Sequence, residues 1–139
     1  MQEVQGNIWN SGCTYTAVTT NGIIKSNGNL VMGKGIALQA SQRYPSLPRI
    51  LAQHVRAKGN VPCLVPECKI LSFPTKHNWH DPSDPLLIVK SARLAMDLLP
   101  RDCTCAMSRP GCGNGNLRWE QVKPLIDDIL DDRFFVYSL

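Results

Sequence analysis

An α/β fold is the class this sequence predicts, on three observations. Apolar residues alternate along the chain between strand-like and helix-like spacing. Of 139 residues, 43% are hydrophobic and 19% charged, a composition that can bury a full core and that excludes a disordered tail, a collagen or a coiled coil. Two glycine-rich segments each run into a helical pattern, the arrangement by which such folds present backbone amides to ligands.

The elements follow in order. Residues 2–9 read as extended, and residues 14–20 as a second strand, rich in β-branched side chains and ended by Asn21-Gly22. A polar turn follows at Ser26-Asn27-Gly28-Asn29. Gly33-Lys34-Gly35 opens a helix at Ile36 that Tyr44-Pro45 closes, because the residue before proline is pushed out of the helical region. Residues 47–58 make a second helix, stopped at Gly59-Asn60. Residues 61–65 and 69–73 are short strands joined by a Pro-Glu turn, and residues 75–84 are polar, aromatic and irregular. Asp84-Pro85 supplies an N-cap and first helical position for the amphipathic run 86–99, with Ile88, Ala92, Ala95 and Leu99 on one face, and Pro100 ends it. Residues 103–107 are a small buried strand, 110–116 a loop, 124–130 a helix with Pro124 in its first turn, and 134–138 a closing strand. Against roughly 150 residues per domain, the length predicts one domain over residues 1–139.

No apolar run approaches the roughly 20 residues of a membrane span, and the first ten residues lack a basic and an apolar region, so a cytoplasmic protein is expected. The six cysteines (Cys13, Cys63, Cys68, Cys103, Cys105, Cys112) are then expected as buried strand thiols, since reductants keep cytosolic cysteines reduced and their spacings match no zinc ribbon. Residues 1–80 carry eight Lys/Arg against two acids, and residues 81–139 seven against nine. That asymmetry suits an anionic ligand or nucleic acid and equally suits an ordinary solvated surface; it lacks the aromatic-interleaved basic stripe of a nucleic-acid binder.

The two glycine segments share one physics: glycine lets amides approach a ligand, and a helix N-terminus offers unpaired N–H groups to negative charge. Gly28-Asn29-Leu30-Val31-Met32-Gly33-Lys34-Gly35 comes within one residue of a P-loop, but Gly35 has no hydroxyl for Mg²⁺ and a polar turn precedes it, which argues against triphosphate hydrolysis. Gly111-Cys112-Gly113-Asn114-Gly115-Asn116-Leu117 follows a strand and precedes a Trp-containing helical turn, which places its amides at the carboxyl edge of a sheet. A tight structural connection also selects glycine.

Three ordered motifs, Val18-Thr19-Thr20-Asn21-Gly22, Val31-Met32-Gly33-Lys34-Gly35-Ile36-Ala37-Leu38-Gln39 and Arg109-Pro110-Gly111-Cys112-Gly113-Asn114-Gly115-Asn116-Leu117-Arg118-Trp119-Glu120, resemble the macrodomain family over nearly the whole chain. The resemblance is greatest to the branch of terminal ADP-ribose glycohydrolases and of antitoxin macrodomains that strip ADP-ribose from DNA. It implies a three-layer α/β/α sandwich with a mixed, six-stranded sheet and ADP-ribose in a cleft at the strand ends.

Carried over residue by residue, Gly6-Asn7-Ile8-Trp9 matches the family's adenine-binding turn, with Asn7 in place of an aspartate as an uncharged acceptor and the Ile8 amide facing the base. Thr20 and Asn21 end the strand beneath the distal ribose, which the asparagine bonds. Met32, Gly33, Lys34, Gly35, Ile36 and Ala37 match the first ligand loop; Pro110, Gly111, Cys112, Gly113, Asn114, Gly115, Asn116 and Leu117 match the second, whose amides grip the diphosphate. Tyr137 is a candidate either to flank the adenine or to pack on a helix.

In Phe73-Pro74-Thr75-Lys76-His77-Asn78-Trp79, Lys76 falls where the glycohydrolases place a lysine near the anomeric carbon. Such an amine attacks the opened sugar as a Schiff-base nucleophile, which requires surroundings that favour its neutral form, or as an ammonium it stabilises developing charge. An exposed lysine steering the diphosphate is the alternative. The aspartate paired with that lysine in terminal glycohydrolases is absent, for Gly115 stands there with Asn116 beside it. His77 and His80 either replace it in proton transfer or merely order their loop.

The function implied is an ADP-ribosyl hydrolase, an enzyme removing ADP-ribose from protein, DNA or a small derivative; the alternative is a non-catalytic module holding ADP-ribose or a related nucleotide. The implied partners are ADP-ribose or an ADP-ribosylated macromolecule, with nucleic acid only as modified substrate. A monomer without cofactor, metal or membrane association is expected.

Overall fold

The computed structural model describes residues 1–139. Six strands form one mixed sheet: β1 (Gln2–Gln5), β2 (Tyr15–Thr20), β3 (Cys63–Val65), β4 (Ile70–Pro74), β5 (Cys105–Ser108) and β6 (Phe134–Ser138). Their spatial order is β1-β6-β5-β2-β4-β3, and only the β3/β4 pair is antiparallel. Four helices complete the fold: α1 (Gly35–Arg43), α2 (Leu47–Lys58), α3 (Pro85–Leu98) and α4 (Trp119–Ile126).

Strand alternation sorts the core into two layers. Tyr15 and Ala17 of β2 and Leu71 and Phe73 of β4 turn to one face, where Ile88, Ala92 and Ala95 of α3 and Val122 and Ile126 of α4 cover them. The alternate residues Val18 and Ile70 turn to the other face, under Ala40 of α1 and Leu47, Leu51 and Ala52 of α2. Helices on both faces of a largely parallel sheet make the three-layer sandwich. Phe73 and Phe134 are fully buried, and burial of each contributes roughly 2–3 kcal/mol.

Because β1, β2, β4, β5 and β6 run parallel, their carboxyl ends share one edge. The segments that leave it are 6–10 after β1, 21–34 after β2, 75–84 after β4 and 109–118 after β5. Glu3 of β1 anchors the far side: its carboxylate accepts from Trp119 Nε1 at 2.9 Å and Lys123 Nζ at 2.6 Å, holding α4 and the loop before it against the sheet. No helix is long and apolar enough to cross a membrane.

Several expected boundaries are corrected. The segment 2–9 is strand only to Gln5; Asn7 Oδ1 accepts from Trp9 N–H at 3.0 Å and turns residues 8–10 into one 3₁₀ turn. The last helix begins at Trp119 rather than at Pro124, because Gln121 Oε1 accepts the orphan Arg118 N–H at 3.0 Å and nucleates a turn that Pro124 then sits inside. All six cysteines are free thiols, but only Cys63 and Cys105 lie in strands, and only Cys68 and Cys105 are buried. Burial pushes the Cys105 thiol up to about 12.

Candidate active site

The first loop is set by Asn21. Its side chain is buried at the end of β2, where Nδ2 donates to Val31 O at 2.9 Å and Oδ1 accepts from Ile23 N–H at 2.9 Å. Asn21 therefore folds the loop upon itself, a role the sequence did not show; one Nδ2 hydrogen and the second Oδ1 lone pair stay uncommitted. Met32 also turns inward, its side chain buried in the layer under α1 and α2, while Gly33, Lys34 and Gly35 are exposed.

α1 then starts with no side-chain cap at Lys34 and no acid in its first turn. The first bond into the helix is Leu38 N–H to Lys34 O, so the amides of residues 33–37 have no acceptor within the chain. Gly35 holds φ +58, a left-handed conformation that glycine adopts without strain.

The second loop tightens into a 3₁₀ turn at Gly113–Gly115, closed by Asn116 in the left-handed region. Gly111 and Gly113 have φ +80 and +68. Leu117 N–H returns to Gly111 O at 3.0 Å and Asn116 N–H to Gly113 O at 3.0 Å, while the amides of Gly113 and Asn114 have no acceptor within the chain. The two loops touch, for a Cβ on Gly35 would stand 3.1 Å from Asn114 Nδ2. Burial pushes the Cys112 thiol up, Arg109 opposing and Glu120 adding to it.

Residues 75–84 close the third side. Thr75 N–H and Lys76 N–H both donate to Thr20 O, Asn60 Nδ2 holds Lys76 O at 2.9 Å, and His77 O accepts from Gly22 N–H at 3.2 Å. The Lys76 side chain crosses to the second loop, where Nζ donates to Asn114 O at 3.1 Å, while it also donates to Trp79 O of its own segment at 3.4 Å. His77 Nε2 lies 2.8 Å from Asp84 Oδ2, a pairing that holds the Asp84 carboxyl below its ordinary range. His80 and Trp79 meet edge to face, centroids 5.2 Å apart, at the exposed tip.

Lys76, Gly35 and Asn114 thus come together at the carboxyl edge of β2, β4 and β5. Asn7 lies at the neighbouring edge, with Tyr137 close to it: a Cβ on Gly6 would meet the Tyr137 ring at 3.8 Å. Asn7 Oδ1 already serves as cap to Trp9, and its second lone pair is uncommitted. Sequence reasoning missed Asn60, Ser83 and Asp84 as neighbours of the cleft; only the N-cap signal at Asp84 was visible. No group of three His, Cys, Asp or Glu side chains could hold a metal ion.

Comparison with known proteins bears on the same geometry. No family model matches the chain. Two curated relatives, DNA ADP-ribosyl glycohydrolases of Mycobacterium bovis (strain BCG) and Mycobacterium tuberculosis, are 32% identical over 106 residues, covering 67% of this chain. The chain spans about 30% of the length of those relatives. Among solved structures, the macrodomain of Thermus aquaticus DarG matches with a TM-score of 0.77 and 26% identity over 99% of this chain and 97% of that one. Thermosipho africanus DarTG in complex with ADP-ribose matches with a TM-score of 0.76 and 23% identity, over 98% of this chain and 41% of that chain. The macrodomain of Mycobacterium tuberculosis DarG gives 0.75 and 24% over 99% and 97%. Below 25% identity, these last two likenesses are of fold.

Proposed function

The chain belongs to the macrodomain family, of the DarG type, and from that premise we propose that it binds ADP-ribose at the carboxyl edge of its sheet and hydrolyses the bond joining ADP-ribose to a DNA base. The observation that carries this reading is the meeting of two runs of unpaired amides, at residues 33–37 and 113–114, with the Lys76 ammonium at one edge of the sheet. Amide donors at a helix start and in a glycine loop satisfy diphosphate oxygens without metal. The relatives named as DNA ADP-ribosyl glycohydrolases support both ligand and reaction.

In this reading Asn7, the Ile8 amide and Tyr137 receive the adenine, Thr20 and Asn21 the distal ribose, residues 32–37 and 110–117 the diphosphate. Lys76 is the catalytic residue. An ammonium has three N–H donors; two point at Asn114 O and Trp79 O, and the third is free for the oxygen or nitrogen that gains electrons as the glycosidic bond breaks. The protein acts as a cytoplasmic monomer, in keeping with six cysteines held as free thiols.

A second reading, a module that binds ADP-ribose without turnover, draws on one observation: residue 115 is glycine, and no carboxylate faces Lys76 from the second loop. Incubation with single-stranded DNA carrying ADP-ribose on a base separates the two. Wild-type protein should release ADP-ribose, and Lys76→Ala should slow release at least about a hundredfold while holding free ADP-ribose within about threefold, the pattern of a lost transition-state contact. Equal release by both proteins removes Lys76 from the mechanism. Binding without release by the wild type establishes the module.

A further inference from the structure

Of the glycines in the second loop, Gly111 and Gly113 are required by their positive φ, but Gly115 is not among the positive-φ residues. Its backbone would accept any side chain. The obstacle is space: a Cβ there would collide with Ser83 Oγ and stand 3.2 Å from Ser83 Cβ. Real Cβ atoms do not approach a hydroxyl so closely, and packed interiors have no slack to absorb it.

The Ser83 hydroxyl can turn about the Cα–Cβ bond, but the Ser83 Cβ cannot easily move away. The residue is buried, its N–H donates to Gly115 O at 2.9 Å, and its Cβ would lie 3.3 Å from a Cβ on Gly111, so one serine is wedged beneath both ends of the loop. One residue on, Asp84 N–H is held by Thr75 O at 2.8 Å, which ties the wedge to the base of the segment bearing Lys76. The Ser83 hydroxyl itself has no hydrogen-bond partner. Its contact with the loop is therefore one of volume, and truncating it removes no hydrogen bond within the chain.

We propose that Ser83 and Gly115 form one positioning pair: Ser83 occupies the volume a residue-115 side chain needs, so the second loop meets its ligand as bare backbone beside Lys76, with no side chain, acidic or otherwise, from position 115. Ser83 is a positioning residue, acting through the loop rather than by touching the ligand. The pair also couples the two halves of the cleft, because the wedge belongs to the segment that carries Lys76 while the glycine belongs to the loop whose Asn114 carbonyl receives the Lys76 ammonium. The affinity readout rests on the ADP-ribose reading above.

A graded double-mutant series tests the proposal, with ADP-ribose affinity read by calorimetry and the melting temperature measured alongside. Gly115→Ala alone should weaken ADP-ribose binding at least tenfold and lower the melting temperature. Ser83→Ala in that background should recover part of both losses, since it removes the contact with Oγ and keeps the 3.2 Å contact with Cβ; Ser83→Gly should bring affinity to within about threefold of Ser83→Gly alone. Gly115→Ala binding and melting like wild type overturns the pair, as does a double variant no better than Gly115→Ala. Should the wild-type protein not bind ADP-ribose, the function proposed above fails, and the coupling in melting temperature still decides whether the pair exists.

Discussion

Asp84 uses one carboxylate twice: Oδ1 accepts from Leu86 N–H at 3.0 Å as the cap of α3, and Oδ2 lies 2.8 Å from His77 Nε2. The hydrogen bond to His77 is the largest influence, and it holds this carboxyl below its ordinary range. A depressed native value favours the charged form in the folded state, so Asp84 contributes its full stability above roughly pH 4, where the unfolded chain is already ionised. That contribution is lost as pH falls through the lowered native value. Urea denaturation between pH 5 and pH 2 should show stability falling in the wild type, with a shallower fall in Asp84→Ala, which should also be less stable at pH 7 by about 1 kcal/mol through the lost cap. Parallel curves for the two proteins would contradict the assignment. At this scale the motifs marked out residues that the fold brings to one sheet edge: Asn21 and Lys76 follow the neighbouring strands β2 and β4, and Asn7 follows β1. Local geometry was not legible, because a side-chain amide reads the same whether it caps its own turn, as Asn7 does for Trp9, or waits for a ligand.

At the scale of elements, α1 carries the argument. Its start is uncapped, and Gly35 adopts φ +58 with Asn114 Nδ2 close against it. Gly35→Ala should cost about 1 kcal/mol of stability through the left-handed backbone and weaken ADP-ribose binding at least tenfold, measured by calorimetry, because the new Cβ pushes the two loops apart. Unchanged affinity would show that the loops need not meet. The β-branched run of β2, the Pro45 stop after α1 and the Asp84-Pro85 start of α3 were legible because each signal is local and unopposed. The start of α4 was not. Proline prefers the first helical turn, but here the Gln121 side chain closes a turn earlier and leaves Pro124 to forgo one bond inside the helix.

Over the whole molecule, function depends on strand order. Residues 33–37, 75–84 and 113–115 are far apart in sequence, and the neighbouring ends of β5, β2 and β4 bring them to one edge. No periodicity in a single chain encodes that order; it became legible only through the resemblance carried by three motifs. Nor was the Ser83 wedge legible, since a buried serine opposite a glycine is visible only once the chain has folded. Backbone amide chemical shifts recorded during an ADP-ribose titration test the central claim most directly. Saturable changes are expected, largest at the unpaired amides of Gly33, Lys34, Gly35, Ile36 and Ala37 and, in the same titration, at Gly113 and Asn114. A titration that moves only one of these runs, or neither, would contradict that claim.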